Sequence, residues 1–504
     1  MKKISFSKKS NIILLAIIFI ALFLRTYDLS QVWVSSHHGY NGAVYSSYAK
    51  NHLRYGLEVT KFGNLNDNGF FDPIKDKERL SFYINHGPMI PLLVTIPYSI
   101  FGFKEALGEF MIVLFGIGNL IILYKLGKLL WDTKTGLLIG LIYAIIPLAA
   151  IFDHHIEPVG TVVTFFSLVV FYSYMKLLKT QDNTYYFIML IGLFLGSITD
   201  WEIYYAVPLI ILHYLIFVKK KDINFKMLLF VIISCIFFIG YFAYADIFWN
   251  RDTSLQDLST SLFFRSSSKY WGKDKIDNFS NKEWLVTEYK HLKTVNMFIL
   301  LLSYIGLVGS MIRGRYKKES IRKGLIIILF IYGYFHIIFF RNGTWIHNYW
   351  SYFIIPFTAI SSGLGIKYLI MIFKNRSIRN IVLISIFMIL FITSFDIIIK
   401  GDPTPDNTYK IRGEIIKANT PKTSLILYPE AISPQTEFYS DREIIFDIYN
   451  KERLDTEIRK ENIYTDTFLV IKESYLKELE DLSLDYLQRY EYFKKEGYYF
   501  FKVK

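Results

Sequence analysis

Long apolar segments separated by short polar ones dominate the chain up to residue 400. A helix needs about 20 apolar residues to cross a bilayer, and this length predicts about eleven membrane spans. The predicted spans lie near residues 11–25, 106–124, 135–151, 158–175, 184–199, 202–218, 227–247, 296–312, 324–340, 349–371 and 380–399. Residues 88–101 are also apolar, but they contain three prolines, which favour a helix along the membrane surface. The pattern predicts a polytopic, mainly α-helical membrane protein.

Lysine and arginine cluster in alternate connections between the predicted spans. The clusters lie within residues 2–9, 125–134, 176–179, 219–226, 313–323 and 374–379. The positive-inside rule places these connections in the cytoplasm, and it places residues 153–157, 200–202 and 341–347 on the outer side. The formal net charge of +13 is therefore a signal of topology and argues for no nucleic-acid partner. We predict a multi-pass protein of the cell membrane with a cytoplasmic N-terminus and a retained first span.

The sequence predicts two domains that meet near residue 400. Residues 1–400 form a transmembrane domain, which includes a long first outer loop at residues 26–103. From residue 401 the chain becomes charged, and its periodicity changes to that of short helices and strands. The predicted helices are 410–419, 451–460 and 473–479, and the predicted strands are 424–428, 443–446, 467–471 and 498–503. Residues 401–504 are therefore predicted to form a small extracytoplasmic α/β domain.

Ionisable and polar residues concentrate at the predicted outer ends of the spans and in the first loop. A carboxylate at a desolvated membrane boundary is unfavourable without a partner, so a set this rich in acids and imidazoles indicates a site. The candidates are His37, His38, Tyr40, Asn41, Lys61, His86, Asp153, His155, Glu157, Asp200, Trp201, Glu202, Arg341, His347 and Tyr349. In the segment 152–158, two acids flank two histidines between apolar segments that are each long enough to cross a bilayer. This segment is predicted to lie at a membrane face.

The candidates also have purely structural interpretations. The two acids at 153 and 157 could cap a helix, the acidic pair at 200 and 202 could form a polar turn, and the aromatic residues could belong to an interfacial belt. The basic candidates could snorkel or be solvated. We favour the functional interpretation where imidazoles lie between acids.

Imidazoles and carboxylates also make a divalent metal possible. Their spacing matches no recognised zinc motif. We therefore predict no certain cofactor and keep a divalent metal as an alternative.

Four short segments stand in a characteristic order along the chain. They are the run from Ala49 to Gly56, Asn85-His86-Gly87-Pro88, the acidic segment from Asp153 to Pro158, and the run from His347 to Phe353 with Pro356. This order resembles the GT-C membrane glycosyltransferases, specifically the protein O-mannosyltransferase and aminoarabinose (lipid A) transferase-like branch. The resemblance implies about 11 to 13 transmembrane helices. One departure is that His37-His38 stand where this branch commonly has Asp-Glu.

The resemblance implies a glycosyltransferase that moves a sugar from a polyprenyl-phosphate donor to a protein, lipid or glycan acceptor on the outer side, with inversion. Cations must balance the charge of a phosphate leaving group, and the candidates are Lys61, Arg341 and His86. The acceptor needs a base, for which the candidates are Asp153 and His38, followed by Glu157 and Asp200. The remaining candidates would orient or stack on the substrate: His37, Tyr40, Asn41, His155, Trp201, Glu202, His347 and Tyr349.

The competing interpretation is a polytopic transporter or flippase for a lipid or a sugar. Transporters place ionisable residues near the bilayer midplane and are often built from inverted repeats. The sequence shows neither feature, so we favour the enzyme.

Overall fold

The structure is a computed structural model of the 504-residue chain. It describes residues 2–27, 29, 31–66, 80–218, 223–249, 254–271, 276–313, 317–401, 406–460, 464–479 and 481–504. Residues 219–222 and 314–316 of the predicted cytoplasmic loops and residues 67–79 of the predicted first outer loop lie outside this described part.

The described chain is mainly helical. Its first helices are α1 (Lys2–Thr26), α2 (His37–Tyr55), α3 (Leu57–Thr60), α4 (Met89–Phe101), α5 (Glu105–Leu130), α6 (Thr133–Ile145), α7 (Pro147–Phe152) and α8 (Thr161–Thr180). They are followed by α9 (Asn183–Ser197), α10 (Ala206–His213), α11 (Asn224–Phe248), α12 (Ser254–Ser266), α13 (Asn281–Lys293), α14 (Met297–Arg313), α15 (Lys317–Phe339) and α16 (Arg341–Ile346). The last are α17 (Ile355–Ile370), α18 (Arg376–Gly401), α19 (Thr408–Asn419), α20 (Pro434–Ser440), α21 (Lys451–Arg459), α22 (Glu473–Leu476) and α23 (Leu484–Leu487).

Short helical segments extend two of these helices. The 3₁₀-helix Trp201–Tyr205 precedes α10, the π-helix Tyr214–Val218 follows it, and the 3₁₀-helix Asn348–Ile354 precedes α17. Within the described residues, 8 helices are long and apolar enough to cross a membrane, or 9 if α13 and α14, which meet at 95°, form one bent span. Each of the predicted spans falls on a described helix or on consecutive helical segments, and α4 covers the predicted surface helix. The chain is a multi-span membrane protein, as predicted.

The strands are few and short. They are β1 (Asn64–Leu65), β2 (Phe82–Tyr83), β3 (Lys269–Trp271), β4 (Ile276–Asn278), β5 (Ser424–Leu427), β6 (Glu443–Ile445), β7 (Asp466–Lys472), β8 (Glu491–Lys495) and β9 (Tyr498–Lys502). β1–β2 and β3–β4 are antiparallel pairs, and the other strands form one sheet in the order β6-β5-β7-β9-β8. β5 is parallel to β6 and β7, whereas β9 is antiparallel to β7 and β8.

The chain forms two compact units. The first, which we call the membrane unit, comprises Met1–Leu29, Ile84–Ile90 and Glu109–Asp402. The second, which we call the sheet unit, comprises Ser30–Tyr83, Pro91–Gly108 and Pro403–Lys504. The sheet unit therefore contains most of the first loop as well as the C-terminal residues, whereas the predicted boundary assigned the whole loop to the transmembrane domain.

Helices of the membrane unit pack closely where glycines face each other. A β-carbon on Gly306 of α14 would lie 1.8 Å from the carbonyl oxygen of Ser361, and one on Gly365 of α17 would lie 2.1 Å from that of Leu302. The two backbones can approach this far only because both residues lack a side chain. This packing fixes α17 and, through it, the 3₁₀-helix Asn348–Ile354 that carries part of the site.

In the sheet unit, α2 of the first loop is bound to α20 of the C-terminal part. The Lys50 ammonium donates to the carbonyl oxygen of Phe438 at 2.7 Å and lies 3.6 Å from the centroid of its ring. The Arg54 guanidinium forms an ion pair with Asp441. These long-range contacts explain why the loop joins this unit, and local sequence periodicity carries no signal for them.

The predicted C-terminal α/β domain is confirmed in its class and in most of its elements. All seven predicted helices and strands of residues 401–504 have observed counterparts, but α20, β8 and α23 were not predicted. β8 is an edge strand with every side chain exposed, so it lacks the alternation of buried and exposed positions that reveals a strand. α20 and α23 each have seven residues or fewer, too short for a helical period to be recognised.

Candidate active site

Backbone hydrogen bonds between two connections of the membrane unit bring His86 and Asp200 together. The Gly87 N–H donates to the Thr199 carbonyl oxygen at 3.1 Å. A β-carbon on Gly87 would lie 2.1 Å from the Ile198 carbonyl oxygen, so this approach requires glycine. As a result, Nδ1 of His86 lies 2.9 Å from Oδ2 of Asp200.

Asp200 is also the first member of a buried pair of carboxylates. Its Oδ1 accepts a hydrogen bond from the Trp201 N–H at 2.9 Å, which begins the 3₁₀-helix. Glu202 is fully buried and interacts with Asp200, and neither of its oxygens has a hydrogen-bond donor among the described residues. Two adjacent buried acids are costly unless one of them holds a proton, and such pairs are typical of functional sites.

His86 is the member of this group that a substrate can reach. Its side chain is 17% exposed, whereas that of Asp200 is 0% exposed. Burial lowers the pKa of His86 to about 4 and raises the pKa of Asp200 to about 7. Both shifts favour uncharged groups, so near neutral pH the pair binds or releases one proton. When Asp200 is ionised and accepts the Nδ1–H of a neutral His86, Nε2 is a proton acceptor.

Arg265, on α12, is a cationic centre that sequence analysis did not single out. Its Nη1 donates to Oδ1 of Asn342 at 3.2 Å and lies 3.5 Å from Nε2 of His347. Beside the larger effect of burial, the charge of Glu202 raises and that of Arg265 lowers the pKa of His86. Arg265, the predicted His347 and the acidic group around His86 therefore lie within electrostatic range of one another.

An apolar groove lies against α12, the helix that carries Arg265. A cavity of about 420 Å³ is lined by Trp201 and by apolar side chains of α10, α11, α12 and α15. Leu258 and Leu262 of α12 line this cavity. Arg265 lies three residues after Leu262 and therefore on the same face of that helix. A second, mostly apolar cavity of about 630 Å³ shares part of the α15 wall. A groove of this composition suits a hydrocarbon chain whose anionic end meets the guanidinium.

Asp153, the residue at the centre of the sequence motif, occupies a closed ion pair. Its Oδ2 accepts hydrogen bonds from Nε of Arg25 at 2.7 Å and from the Tyr143 hydroxyl at 2.8 Å. Its Oδ1 accepts hydrogen bonds from the Thr161 hydroxyl at 2.9 Å and from the Tyr352 hydroxyl. The side chains of Asp153 and Arg25 are both 0% exposed.

The prediction that Asp153 serves as the base does not fit this environment. Four donors occupy its two oxygens, and no part of the carboxylate reaches the surface. Arg25, on the first helix and distant in sequence, supplies the countercharge that sequence analysis missed. Through Asp153, the network instead joins α1, α6, α8 and the 3₁₀-helix before α17.

Aromatic contacts connect the motif around Asp153 with Arg265. The Phe152 ring lies 4.7 Å from the His155 ring and 5.9 Å from the Tyr349 ring, measured between centroids. The Tyr349 ring lies 5.1 Å from that of His347, which contacts Arg265. The structure therefore brings His155, Tyr349 and His347 into one connected cluster.

Two buried imidazoles of the same motif are suited to metal ligation. The rings of His154 and His155 lie edge to face with centroids 4.6 Å apart, and Glu157 is buried two residues further on. Nitrogen and carboxylate ligands of this kind suit Zn²⁺. The divalent metal and the catalytic role of Glu157 stay predictions.

Arg341, the predicted phosphate-binding cation, lies at the edge of the second cavity. Its Nη2 donates to Oδ1 of Asn281 at 2.6 Å, and its guanidinium lies 5.0 Å from the centroid of the Trp284 ring. These contacts turn it toward α13, so Arg265 is the better candidate for the phosphate.

The other predicted residues belong to the sheet unit. His37, His38, Tyr40 and Asn41 lie in the first turns of α2, where the His37 and Tyr40 rings stack with centroids 6.3 Å apart. Lys61 is exposed at the end of α3 with a φ of 46°. The structure therefore groups the four residues of α2 and places Lys61 on a different element.

The helical architecture is that of the GT-C membrane-protein fold, as comparison with known proteins shows. Residues 85–244 match the family model described as dolichyl-phosphate-mannose-protein mannosyltransferase. No curated protein sequence matches the chain.

Two solved structures are similar along nearly the whole chain. The crystal structure of ArnT from Cupriavidus metallidurans bound to undecaprenyl phosphate has a TM-score of 0.66 at 11% identity, covering 99% of this chain and 98% of that one. The oligosaccharyltransferase AglB from Archaeoglobus fulgidus, in complex with an inhibitory peptide and a dolichol-phosphate, has a TM-score of 0.59 at 12% identity, covering 99% and 75%. The resemblance to the GT-C fold and to its mannosyltransferase and ArnT-like branch, which the sequence motifs predicted, is confirmed.

Proposed function

We propose that the protein transfers a sugar from a polyprenyl-phosphate donor to a hydroxyl or amine of an acceptor on the outer side of the membrane. The observation that carries this proposal is an apolar groove lined by Leu258 and Leu262 of α12, the helix that also carries Arg265. The charge of Arg265 acts on His86, beside Asp200 and Glu202. The polyprenyl phosphates bound in two similar structures support the donor class. The positive-inside pattern of the loops supports the outer location.

Each part of the site has a chemical task in this reaction. Arg265 binds the donor phosphate and balances the charge that it gains as it leaves. His86 accepts the acceptor's proton at Nε2, and Asp200 holds the ring through Nδ1 and stabilises the imidazolium that forms. Glu202 is buried beside Asp200 and holds a proton while Asp200 is ionised, and Trp201, which lies between these two acids in the sequence, lines the groove.

The bond changes follow from this arrangement. The acceptor oxygen or nitrogen forms a bond to the anomeric carbon while the bond from that carbon to the phosphate oxygen breaks. The electron pair leaves with the phosphate, and the acceptor's proton passes to His86. A single displacement inverts the anomeric configuration, and the products are a glycoside and the polyprenyl phosphate.

If Arg265 binds the donor phosphate, its replacement should reduce sugar transfer more than the replacement of Arg341, the arginine that the sequence predicted for this role. In purified protein supplied with a radiolabelled polyprenyl-phosphate sugar, Arg265→Ala should reduce transfer about 10²–10³-fold, because it removes a preorganised cation from the leaving group. Arg265→Lys should retain part of the rate, since it keeps the charge but loses the planar donor geometry. Arg341→Ala should have a smaller effect than Arg265→Ala.

The exposed Arg376, at the start of α18, provides the control variant. Its replacement removes an arginine but leaves the proposed phosphate site intact. Arg376→Ala should transfer sugar at the rate of the unmodified protein. If Arg265→Ala were as active as Arg376→Ala, the phosphate site would be wrong. If the unmodified protein transferred no sugar from a panel of donors but moved the lipid across vesicle membranes, the transporter interpretation would replace the enzyme.

A further inference from the structure

The sheet unit contains a polar cavity that the proposed reaction has not used. The cavity measures about 560 Å³ and is enclosed by α2, the β1–β2 hairpin region and the C-terminal part around α20 and β6. All of its lining residues belong to the sheet unit. Its volume suits a mono- or disaccharide.

One face of α2 supplies a wall of tyrosines. Tyr40, Val44 and Tyr48 lie four residues apart and therefore share one side of the helix. The Tyr48 ring packs against that of Tyr83 with centroids 6.4 Å apart and an angle of 25°, and its hydroxyl donates to Oδ1 of Asn66 at 3.4 Å. These contacts hold flat rings in place before any ligand arrives, which lowers the entropic cost of binding.

The charged residues of the cavity are acids. Glu437 and Glu443 line it together with four tyrosines, two asparagines and two serines, and no lysine or arginine is among the described lining residues. Burial and the charge of Glu437 raise the pKa of Tyr40, and both side chains line the cavity. Ionised carboxylates accept hydrogen bonds and repel anions, so the lining favours hydroxyl or ammonium groups and opposes phosphate and carboxylate groups.

We propose that this cavity binds a saccharide of the acceptor, either neutral or amine-bearing, with one pyranose face against Tyr40 and its hydroxyl or amino groups on Glu437 and Asn41. Flat rings offer an apolar surface to the C–H face of a sugar, and the acids and amides bind its polar edge. This inference rests on the proposed function, because only a transferase has an acceptor. It narrows the class of acceptor to a glycan or glycolipid without a negative charge at the bound sugar.

The test measures saccharide binding without the transfer reaction. Full-length protein in lipid nanodiscs is titrated with mannobiose, a glucosamine disaccharide and a galacturonate disaccharide, with binding followed by saturation-transfer NMR. The first two probes should bind, and the galacturonate probe should bind at least about tenfold more weakly, because it places a carboxylate against two acids.

Two substitutions and a control assign the binding to this cavity. Tyr40→Ala should weaken both favoured probes about tenfold, and Glu437→Gln should weaken the glucosamine probe more than mannobiose. Tyr449→Ala, which removes an exposed tyrosine outside the cavity, should leave binding unchanged. Equal binding by Tyr40→Ala and the unmodified protein, preference for the galacturonate probe, or no binding of either favoured probe at about 10 mM would overturn the proposal.

The same samples separate this inference from the proposed function. Binding of polyprenyl phosphate depends on the membrane unit, so it should be lost in Arg265→Ala and kept in Tyr40→Ala. Saccharide binding should show the opposite pattern. If the unmodified protein bound the saccharide probes but no polyprenyl phosphate, only the donor site would be contradicted. If it bound polyprenyl phosphate but no saccharide probe, only the saccharide cavity would be contradicted.

Discussion

Replacing His86 with alanine should lower the rate of sugar transfer by about 10²–10⁴-fold, the usual contribution of a general base. His86 is the one member of the His86, Asp200 and Glu202 group with a measurable exposed fraction, so the acceptor's proton has no other direct acceptor in that group. His86→Gln should be similarly impaired, because an amide fills the space but does not take up a proton. The measurement is single-turnover transfer from a labelled donor.

His291 offers a matched control for this substitution. Its side chain is also 17% exposed, and its Nδ1 lies 3.8 Å from a carboxylate oxygen of Glu288. His291→Ala removes an equally exposed histidine beside an acid but leaves His86 intact, so it should retain the rate of the unmodified protein. Equal rates for His86→Ala and His291→Ala would rule out His86 as the base.

The pH dependence of the transfer rate distinguishes a catalytic role of His86 and Asp200 from a purely structural one. A purely structural role would leave this pH dependence unchanged. The base must be unprotonated, so the rate should rise with pH through about 7, the value to which burial raises the pKa of Asp200. In the Asp200→Asn variant, residue 200 no longer takes up a proton. The increase of the transfer rate with pH should therefore move toward about pH 4, the pKa of the buried His86. An unchanged profile in Asp200→Asn would contradict the coupling of the two residues.

Breaking the ion pair between Arg25 and Asp153 should have the largest effect on stability. Removing one partner of a buried pair leaves an uncompensated charge and costs about 3–5 kcal/mol. Asp153→Leu leaves Arg25 buried without its carboxylate, so a large fall in melting temperature is expected in a thermal-shift measurement in detergent. The double variant Arg25→Met with Asp153→Leu should recover part of the loss, because neither charge remains.

The exposed ion pair between Lys367 and Asp132 is the control for this argument. Its two side chains are 28% and 49% exposed, and pairs of this kind contribute about 0–1 kcal/mol. Lys367→Met should therefore change the melting temperature little. A small effect of Asp153→Leu, comparable with that of Lys367→Met, would mean that the Asp153 network does not hold α1, α6 and α8 together.

The sequence predicted the helices well because each span carries its own signal. A run of about 20 apolar residues is recognisable without any knowledge of its neighbours. The same holds for the C-terminal strands, where β7 is a continuous buried run from Thr467 to Ile471. Elements without a local signal, such as the exposed β8 and the short α20, were missed.

The candidate site was predicted only in part, because its decisive contacts are long-range. The acidic motif identified Asp153, but its partner Arg25 is 128 positions away, and only the folded chain shows that the pair is closed. Arg265 lies in the connection between the predicted spans 227–247 and 296–312, where a second arginine and six lysines give it no distinction. Its spacing from Leu258 and Leu262, seven and three residues earlier on one helix face, is the signal that would have found it.

An experimental structure of the protein with undecaprenyl phosphate tests the central claim most directly. The phosphate should contact the Arg265 guanidinium, and the isoprenoid chain should lie against Leu258 and Leu262 in the apolar groove. A lipid bound elsewhere, with its phosphate held by other residues and the groove filled by protein side chains, would contradict the proposed donor site.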